Sequence, residues 1–506
     1  MQHMNSILEA FIRQAERTPD KRCVIFGGRT LSYAELAFAA RGFGRALTSW
    51  GLKPGEGVAL FLENSIDFLV AYLGSWWAGG TVILVNTAYR QVELRHILND
   101  SSARICITGD AQRPELDRVR DDLRALERIV ETGDDMQRFI ETQHVPAREI
   151  VPELGLPRAD ALAVIGYTSG TTGQSKGAML LHGNLIANAQ AVCAAWHWTQ
   201  ADHLLNMLPL FHTHGLMVGM HGTWVAGSSV ELHRKFGAAT AYERLLGGGF
   251  SMFFGVPTMY TRLIHEAHVR KERPKPIRLF VSGSAPLSPD TFAEFETLFG
   301  QKILERYGMT ETVMNTTNPY SGERRPGTVG LPFPGQEARV VDVRTRRLVA
   351  PGAVGEIEVR GPHVFAGYLN QPTATADSFD AEGWFKTGDL GCISSDGYLT
   401  ISGRAKELII TGGYNVYPRE VEDVLLRCPG VAEAAVFGLP DAEFGECVCA
   451  ALVRSDPGLS APAVIAFCKE QLAGYKKPRH VAFVEALPRN ALGKVQKHLL
   501  VKMIQT

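Results

Sequence analysis

The stretch Ile165-Gly-Tyr-Thr-Ser-Gly-Thr-Thr-Gly-Gln-Ser-Lys-Gly-Ala178 gathers glycines, hydroxyls and one lysine directly behind an apolar segment. Each type has a use with a polyphosphate. Gly170, Gly173 and Gly177 permit turns that aim backbone N–H groups at anionic oxygens. Thr168, Ser169, Thr171 and Thr172 add hydroxyl donors, and Lys176 adds charge. The plain alternative is a flexible surface turn, but a linker needs no ordered mixture of this kind after a strand. The run is not the common P-loop, which requires glycine where Ser175 stands and a hydroxyl where Gly177 stands, so the P-loop ATPase fold is not implied.

Further stretches carry chemistry-bearing residues in order: Gly283-Ser-Ala-Pro286, Tyr307-Gly-Met-Thr-Glu-Thr312, Thr387-Gly-Asp389, Gly403-Arg-Ala-Lys-Glu407 and Pro488-Arg-Asn-Ala-Leu-Gly-Lys494. Taken singly these are ambiguous. Glu311 either caps a helix or offers a hard oxygen to Mg²⁺, and Lys494 on a short Gly-bearing loop is either solvated or poised for an anion. Together with Tyr167–Gly177 the ordered set resembles the acyl-adenylate-forming enzymes, which include acyl-CoA synthetases and peptide-synthetase adenylation domains. The resemblance extends over nearly the whole chain.

That resemblance implies ATP, Mg²⁺ and coenzyme A as reactants and helpers. Thr168 to Gly173 and Lys176 would bind phosphate, and Ser284, Ala285 and Pro286 the adenine. Tyr307, Gly308 and Thr310 would complete the nucleotide site, with Glu311 on Mg²⁺. Asp389 would accept the ribose hydroxyls with Arg404 beside it, and Lys406 would be the pivot between two domains. Lys494 would bind both the carboxylate and the α-phosphate. After rotation, Gly412, Gly413 and Tyr414 would face the CoA channel. Glu407 stands where the family often has aspartate.

The acid is a separate question. Pro257-Thr-Met-Tyr-Thr-Arg262, Gly283–Pro286 and Glu305–Pro319 resemble the malonyl-CoA synthetase subgroup, in which an arginine at the position of Arg262 binds the second carboxylate. A distal carboxylate in an enclosed pocket must be paired, and a guanidinium fork does so at two points. Arg262 also fits an amphipathic helix with Met259, Leu263 and Ile264, where a snorkelling surface arginine is the alternative. Met309 is a further acid-contacting candidate. His212 in Pro209-Leu-Phe-His-Thr-His-Gly215 is placed by the resemblance beside the carboxylate and the CoA channel. A buried structural histidine is its rival, and no carboxylate or thiolate joins His212, His214 and His221 into a convincing metal set. The expected activity is ligation of malonate or methylmalonate to CoA through an acyl-adenylate. The alternatives are another short, medium-chain or aromatic acid, or loading of a carrier protein.

Positioning these groups calls for an α/β scaffold. Val58–Leu62, Ile66–Trp77, Thr81–Val85, Val92–Asp100 and Arg104–Thr108 alternate strand and helix, the order of a parallel sheet with ligands at the strands' carboxyl ends. From about 326 to 402 short branched runs between Gly and Pro predict a β-rich subdomain. The expected organisation is a large N-terminal domain over 1–403 made of α/β subdomains plus that β-rich one. A hinge at 404–406 and a small mobile α+β C-terminal domain over 407–506 follow. With 506 residues, roughly three structural units of about 150 residues are expected.

A net charge of −1, from 52 basic and 53 acidic residues, gives no general attraction to nucleic acid or to an anionic membrane, so the expected partner is a small carboxylate. Oligomeric state is left open. The uncharged run Phe68–Val85 is broken by Gly79-Gly80 and reads as a buried helix and strand instead of a membrane span. Eight scattered cysteines and an N-terminus without a basic, then apolar, leader point to a reducing cytoplasm. Cys447 and Cys449 alternate as one face of a strand would.

Overall fold

The computed structural model describes residues 4–133, 152, 154–168, 175–411, 414–441, 443–489 and 495–505. Ser169, Gly170, Thr171, Thr172, Gly173, Gly412, Gly413 and Lys494 lie outside the described residues. Contacts divide the chain into two units, residues 1–338 with 359–385 and residues 339–358 with 386–506.

In the first unit, alternation of strand and helix produces two mostly parallel sheets. One has seven strands, in the order Gly367–Tyr368, Lys176–Leu181, Leu162–Thr168, Thr81–Leu84, Gly57–Phe61, Ala103–Thr108, Arg128–Glu131. Its last five strands are parallel, whereas Lys176–Leu181 runs antiparallel to Leu162–Thr168 with Thr168 opposite Lys176. The uncharged run resolves into helix Ile66–Trp77 and strand Thr81–Leu84. Ser65 caps that helix by accepting from the Phe68 N–H at 3.0 Å, which contributes about 1 kcal/mol. All but one of its residues are buried, which explains the lack of polar residues on any face. No helix among the described residues is long and apolar enough to cross a membrane.

The other sheet of this unit has nine strands, in the order Leu331–Pro332, Thr316–Thr317, Leu304–Tyr307, Leu279–Ser282, Met252–Gly255, His203–Asn206, Ser229–Leu232, Arg22–Phe26, Arg29–Ser32. From Leu304–Tyr307 to Arg22–Phe26 its strands are parallel. Helices Pro257–Arg270 and Pro289–Phe299 pack on it through Tyr260, Leu263, Phe292, Phe295 and Phe299. Parallel strands place their carboxyl ends along one edge, and that edge is where loops carrying His212, Pro257, Gly283 and Met309 begin.

The second unit contains a four-stranded sheet built from Glu337–Val341, Gly355–Arg360, Phe385–Ile393 and Leu399–Arg404, and a five-stranded sheet centred on Gly445–Arg454. In this division residues 386–403 group with the C-terminal residues. Cys447 and Cys449 lie buried on one face of Gly445–Arg454 with their sulfurs 3.7 Å apart, packed with Leu487 and Leu500, and all eight cysteines are free thiols. The start of helix Lys497–Gln505 is fixed by Lys497, whose ammonium pairs with Glu422 at 2.7 Å and Glu407 at 3.1 Å.

Candidate active site

Strand Leu162–Thr168 leads into the glycine- and hydroxyl-rich loop, and Lys176 opens the strand that returns from it. Pairing of Thr168 with Lys176 closes the base of the loop. Gly177, expected in the turn, is instead a strand residue opposite Tyr167. The Tyr167 hydroxyl donates to Asp100 at 2.7 Å, and the ring nitrogen of His96 lies 2.8 Å from the Ser175 carbonyl, so both flanks of the loop are tied to helix Gln91–Asp100.

The segment Tyr307–Thr312 comes against this loop base. A Cβ on Gly166 would lie 2.6 Å from the Thr310 methyl, so only glycine lets the two segments approach this closely. Glu311 is 5% exposed, and its Oε1 accepts from the Tyr368 hydroxyl at 2.9 Å. The ring of that same tyrosine lies under the Lys176 ammonium, 4.8 Å from centroid to Nζ. One side chain thus orients both the carboxylate expected on Mg²⁺ and the lysine expected on phosphate. Val313, next but one to Glu311, is held at φ 59°, a strained conformation for a β-branched residue. Strain of this kind persists only where surrounding contacts over-determine it.

At the adjoining strand ends, the 206–215 segment folds tightly: Asn206 donates through Nδ2 to the Gly215 carbonyl at 3.0 Å and accepts from the Leu208 N–H at 3.2 Å. It carries His212 and leads at His214 into a π-helical turn, His214–Met220, a geometry frequent at functional sites. Burial, and next the charge of Arg306, lower His212 to about 4, and the same two causes push buried His214 well down. Both are therefore neutral at physiological pH, and the two ring nitrogens of His214 are buried without a hydrogen-bond partner among the described residues. His221 is separate: its Nε2 lies 3.0 Å from the Tyr72 hydroxyl. Ser284, Ala285 and Pro286 are exposed, with Ser284 at φ 70°. Met309 is half-buried, with its sulfur 3.9 Å from the Tyr307 hydroxyl.

Arg262 lies on the exposed side of helix Pro257–Arg270, whose buried residues are Tyr260, Leu263, Ile264 and Ala267. The buried guanidinium of this region is Arg306, 3% exposed. Arg306 and Tyr368 are the two residues for which the sequence suggested no role. The adjacent charges Glu305 and Arg306 in the buried strand Leu304–Tyr307 were a visible signal, because a charge on a core strand needs a reason. Tyr368 gave none, since its partners Glu311 and Lys176 are joined to it only by tertiary contact.

In the second unit, Arg404 pairs with Asp389 at 2.6 Å across neighbouring strands, which brings together two residues expected at the ribose. Asp389 is 4% exposed, and its N–H donates to Thr387 Oγ1 at 3.0 Å within strand Phe385–Ile393. Lys406 is exposed in the short turn Ala405–Glu407. Tyr414 is 59% exposed and stacks on Tyr475 with centroids 4.6 Å apart.

Known proteins with this architecture share its whole length. The AMP-binding enzyme family matches residues 11–369, and the AMP-binding enzyme C-terminal domain matches residues 420–494. The sulfoacetate–CoA ligase of Cupriavidus necator is 36% identical over 96% of this chain and 95% of its own. The malonate–CoA ligase of Arabidopsis thaliana is 31% identical over 99% and 89%. A long-chain-fatty-acid–CoA ligase of Bacillus subtilis is 32% identical over 98% and 94%, so relatives of similar identity act on different acids. The solved structure of ATP-bound MatB from Rhodopseudomonas palustris is 39% identical, covers 99% of both chains and superposes with a TM-score of 0.90, which matches the expected α/β fold with its large N-terminal and small C-terminal domains. The chain belongs to the AMP-binding enzyme family and is an AMP-forming acyl-CoA ligase that works through an acyl-adenylate.

Proposed function

We propose that this ligase joins a short acid bearing a second anionic group, malonate or methylmalonate, to CoA. The observation that carries the choice of acid is the end-to-end similarity to ligases named for malonate and sulfoacetate, two short acids with a second anion each. The nucleotide half of the reading rests on the Lys176–Tyr368–Glu311 arrangement at the base of the loop.

In the first half-reaction a carboxylate oxygen attacks the α-phosphorus, and the bond to pyrophosphate breaks. Both reactants are anionic, so cationic groups must neutralise charge in the transition state. Lys176 supplies one such charge, and Lys494 is the residue proposed to bridge carboxylate and α-phosphate. Glu311 would hold Mg²⁺ beside Thr310, and the bound ion would supply further neutralisation. A single buried carboxylate fits Mg²⁺, which takes one or two carboxylates and completes its shell with phosphate and water oxygens. Asp389 would hold the ribose, with Arg404 orienting its carboxylate, and Ser284 to Pro286 would border the adenine. Neutral His212 would donate to or accept from the acid without adding charge.

In the second half-reaction the CoA sulfur attacks the acyl carbon, and the bond to AMP breaks. Gly412, Gly413 and Tyr414 are proposed to meet the pantetheine after rotation about Lys406. Unchanged rates of both half-reactions in Lys406→Pro would remove the rotation. The second anion of the acid requires a guanidinium; the resemblance offers Arg262 as one candidate, exposed on helix Pro257–Arg270.

The test is formation of CoA thioester and AMP with ATP and Mg²⁺ across malonate, methylmalonate, sulfoacetate, acetate, butyrate, octanoate and coumarate. Turnover concentrated on the two-anion acids supports the reading. Preference for a monocarboxylate keeps the ligase and discards the acid, and AMP without CoA thioester points to a carrier-protein acceptor.

A further inference from the structure

The half-buried guanidinium groups of Arg278 and Arg339 are paired. Arg278 meets both oxygens of Asp202 at 2.6 and 2.8 Å, and Arg339 meets Glu358 at 2.7 Å. Arg306 differs: its Nε and Nη2 are buried and have no hydrogen-bond partner among the described residues. Its chain neighbour Glu305 offers no pairing, since a strand sends successive side chains to opposite faces and Glu305 accepts from the Leu287 N–H at 3.1 Å. The groups that feel the Arg306 charge are His212, His214 and Tyr260, none of them anionic at neutral pH, and Tyr260 already donates to the Val281 carbonyl at 2.6 Å.

An unpaired buried charge is costly, so a fold that keeps one needs a compensating anion or a purpose for the field. The placement indicates which. Arg306 stands at the carboxyl end of strand Leu304–Tyr307, three residues before Met309, and its guanidinium lies on the backbone of Gly283 at the end of the neighbouring parallel strand. A Cβ at Gly283 would come 2.5 Å from both Cζ and Nε. The charge of Arg306 reaches His212 and His214 in the segment that follows strand His203–Asn206 of the same sheet. This is the edge at which α/β sheets bind ligands.

We propose that Arg306 is the group that pairs with the second anion of the acid, and that Gly283 is glycine to let the guanidinium reach it. The inference rests on the two-anion reading above and names the residue that enforces it. A monocarboxylate leaves the charge unpaired, so Arg306 rejects it as well as holding the correct acid. Arg262, exposed on helix Pro257–Arg270, contributes less to that choice.

The experiment compares kcat/KM for malonate and for propionate, by AMP release, in wild type, Arg306→Met, Arg306→Lys, Gly283→Ala and Arg262→Ala, with KM for ATP recorded in each. Arg306→Met is expected to lower the malonate-to-propionate ratio roughly 30- to 5,000-fold, the scale of losing one partner of a buried charge pair. Arg306→Lys should recover part of the ratio, and Arg262→Ala should leave it within about threefold, the scatter of surface substitutions. A purely structural arginine would depress both acids together, so an unchanged ratio in Arg306→Met overturns the proposal. Where thermal melting shows that Arg306→Met does not fold, Gly283→Ala decides, because its added methyl displaces the same guanidinium and an unchanged ratio overturns the proposal equally. Wild type that prefers propionate defeats the two-anion reading itself, whereas wild type that prefers malonate with Arg262→Ala alone losing the ratio defeats only Arg306.

Discussion

Removing the Tyr368 hydroxyl while keeping its ring isolates one hydrogen bond at the proposed nucleotide site. In Tyr368→Phe the cation–π contact with Lys176, at 4.8 Å, survives, while Glu311 loses a donor at 2.9 Å. Glu311 is 5% exposed, so solvent does little to replace that donor. A hydrogen bond to a charged group contributes about 1.5–3 kcal/mol, which at about 1.4 kcal/mol per factor of ten corresponds to roughly 10- to 150-fold in rate. Orienting partners of metal-binding carboxylates have effects on a similar scale, about 10- to 100-fold. The assay is malonate-dependent exchange of pyrophosphate into ATP at several Mg²⁺ concentrations, beside thioester formation from synthetic malonyl-adenylate and CoA. Exchange should fall by the stated factor and recover partly at high Mg²⁺, with the second half-reaction unaffected. A companion Glu311→Gln should make the tyrosine change nearly silent. Exchange within twofold of wild type at every Mg²⁺ concentration would refute the claim that Tyr368 orients Glu311.

Lys497→Met removes an ammonium that two carboxylates share, Glu422 at 2.7 Å and Glu407 at 3.1 Å. With the pair only partly screened, the loss should be about 2–4 kcal/mol, read as a lower urea midpoint for the C-terminal region by hydrogen exchange. Lys497 has its pKa raised in the fold, burial opposing and Glu422 and Glu407 more than compensating, so its contribution is complete below the unfolded value of 10.5 and is lost only as pH rises through the higher folded value. The difference between wild type and variant should therefore be flat from pH 6 to 9, and a slope there would count against the pairing. Burial sets the opposite linkage for the histidines of the first unit: from 6.5, His182 and His221 fall to about 3, and His212 and His363 to about 4. Below pH 6.5 the unfolded chain binds protons that the folded chain refuses, so stability should drop as pH falls from about 6.5 to 5 and be insensitive to these groups above 6.5. Each contributes up to about 1.4 kcal/mol per pH unit. Urea melts should show His221→Gln losing about one proton of that slope, and an unchanged slope would rule His221 out.

Local pattern sufficed for the elements. Most of helix Ile66–Trp77 was legible because the uncharged run from Phe68, broken at Gly79-Gly80, calls for burial, and strand Gly445–Arg454 because its cysteines alternate. The order of glycines, hydroxyls, Lys176, Glu311 and Asp389 carried a polyphosphate signal in the sequence, and the resemblance proposes their roles. Similarity over the full chain then established the ligase and its adenylate route.

What tertiary structure alone decided is which charges meet. Arg262 and Arg306 are both arginines beside motif residues, and periodicity cannot say which is desolvated. One lies on the exposed side of an amphipathic helix, whereas the other is enclosed by Gly283 and by loops from neighbouring strands. Tyr368 carries no signature because its role exists only once strand Gly367–Tyr368 pairs with Lys176–Leu181 and brings residues 57 positions apart into hydrogen-bond range. Covalent sequence sets the reactivity each side chain has available. Burial and long-range pairing determine how strongly each charge acts, and those depend on strand order, which no local spacing encodes.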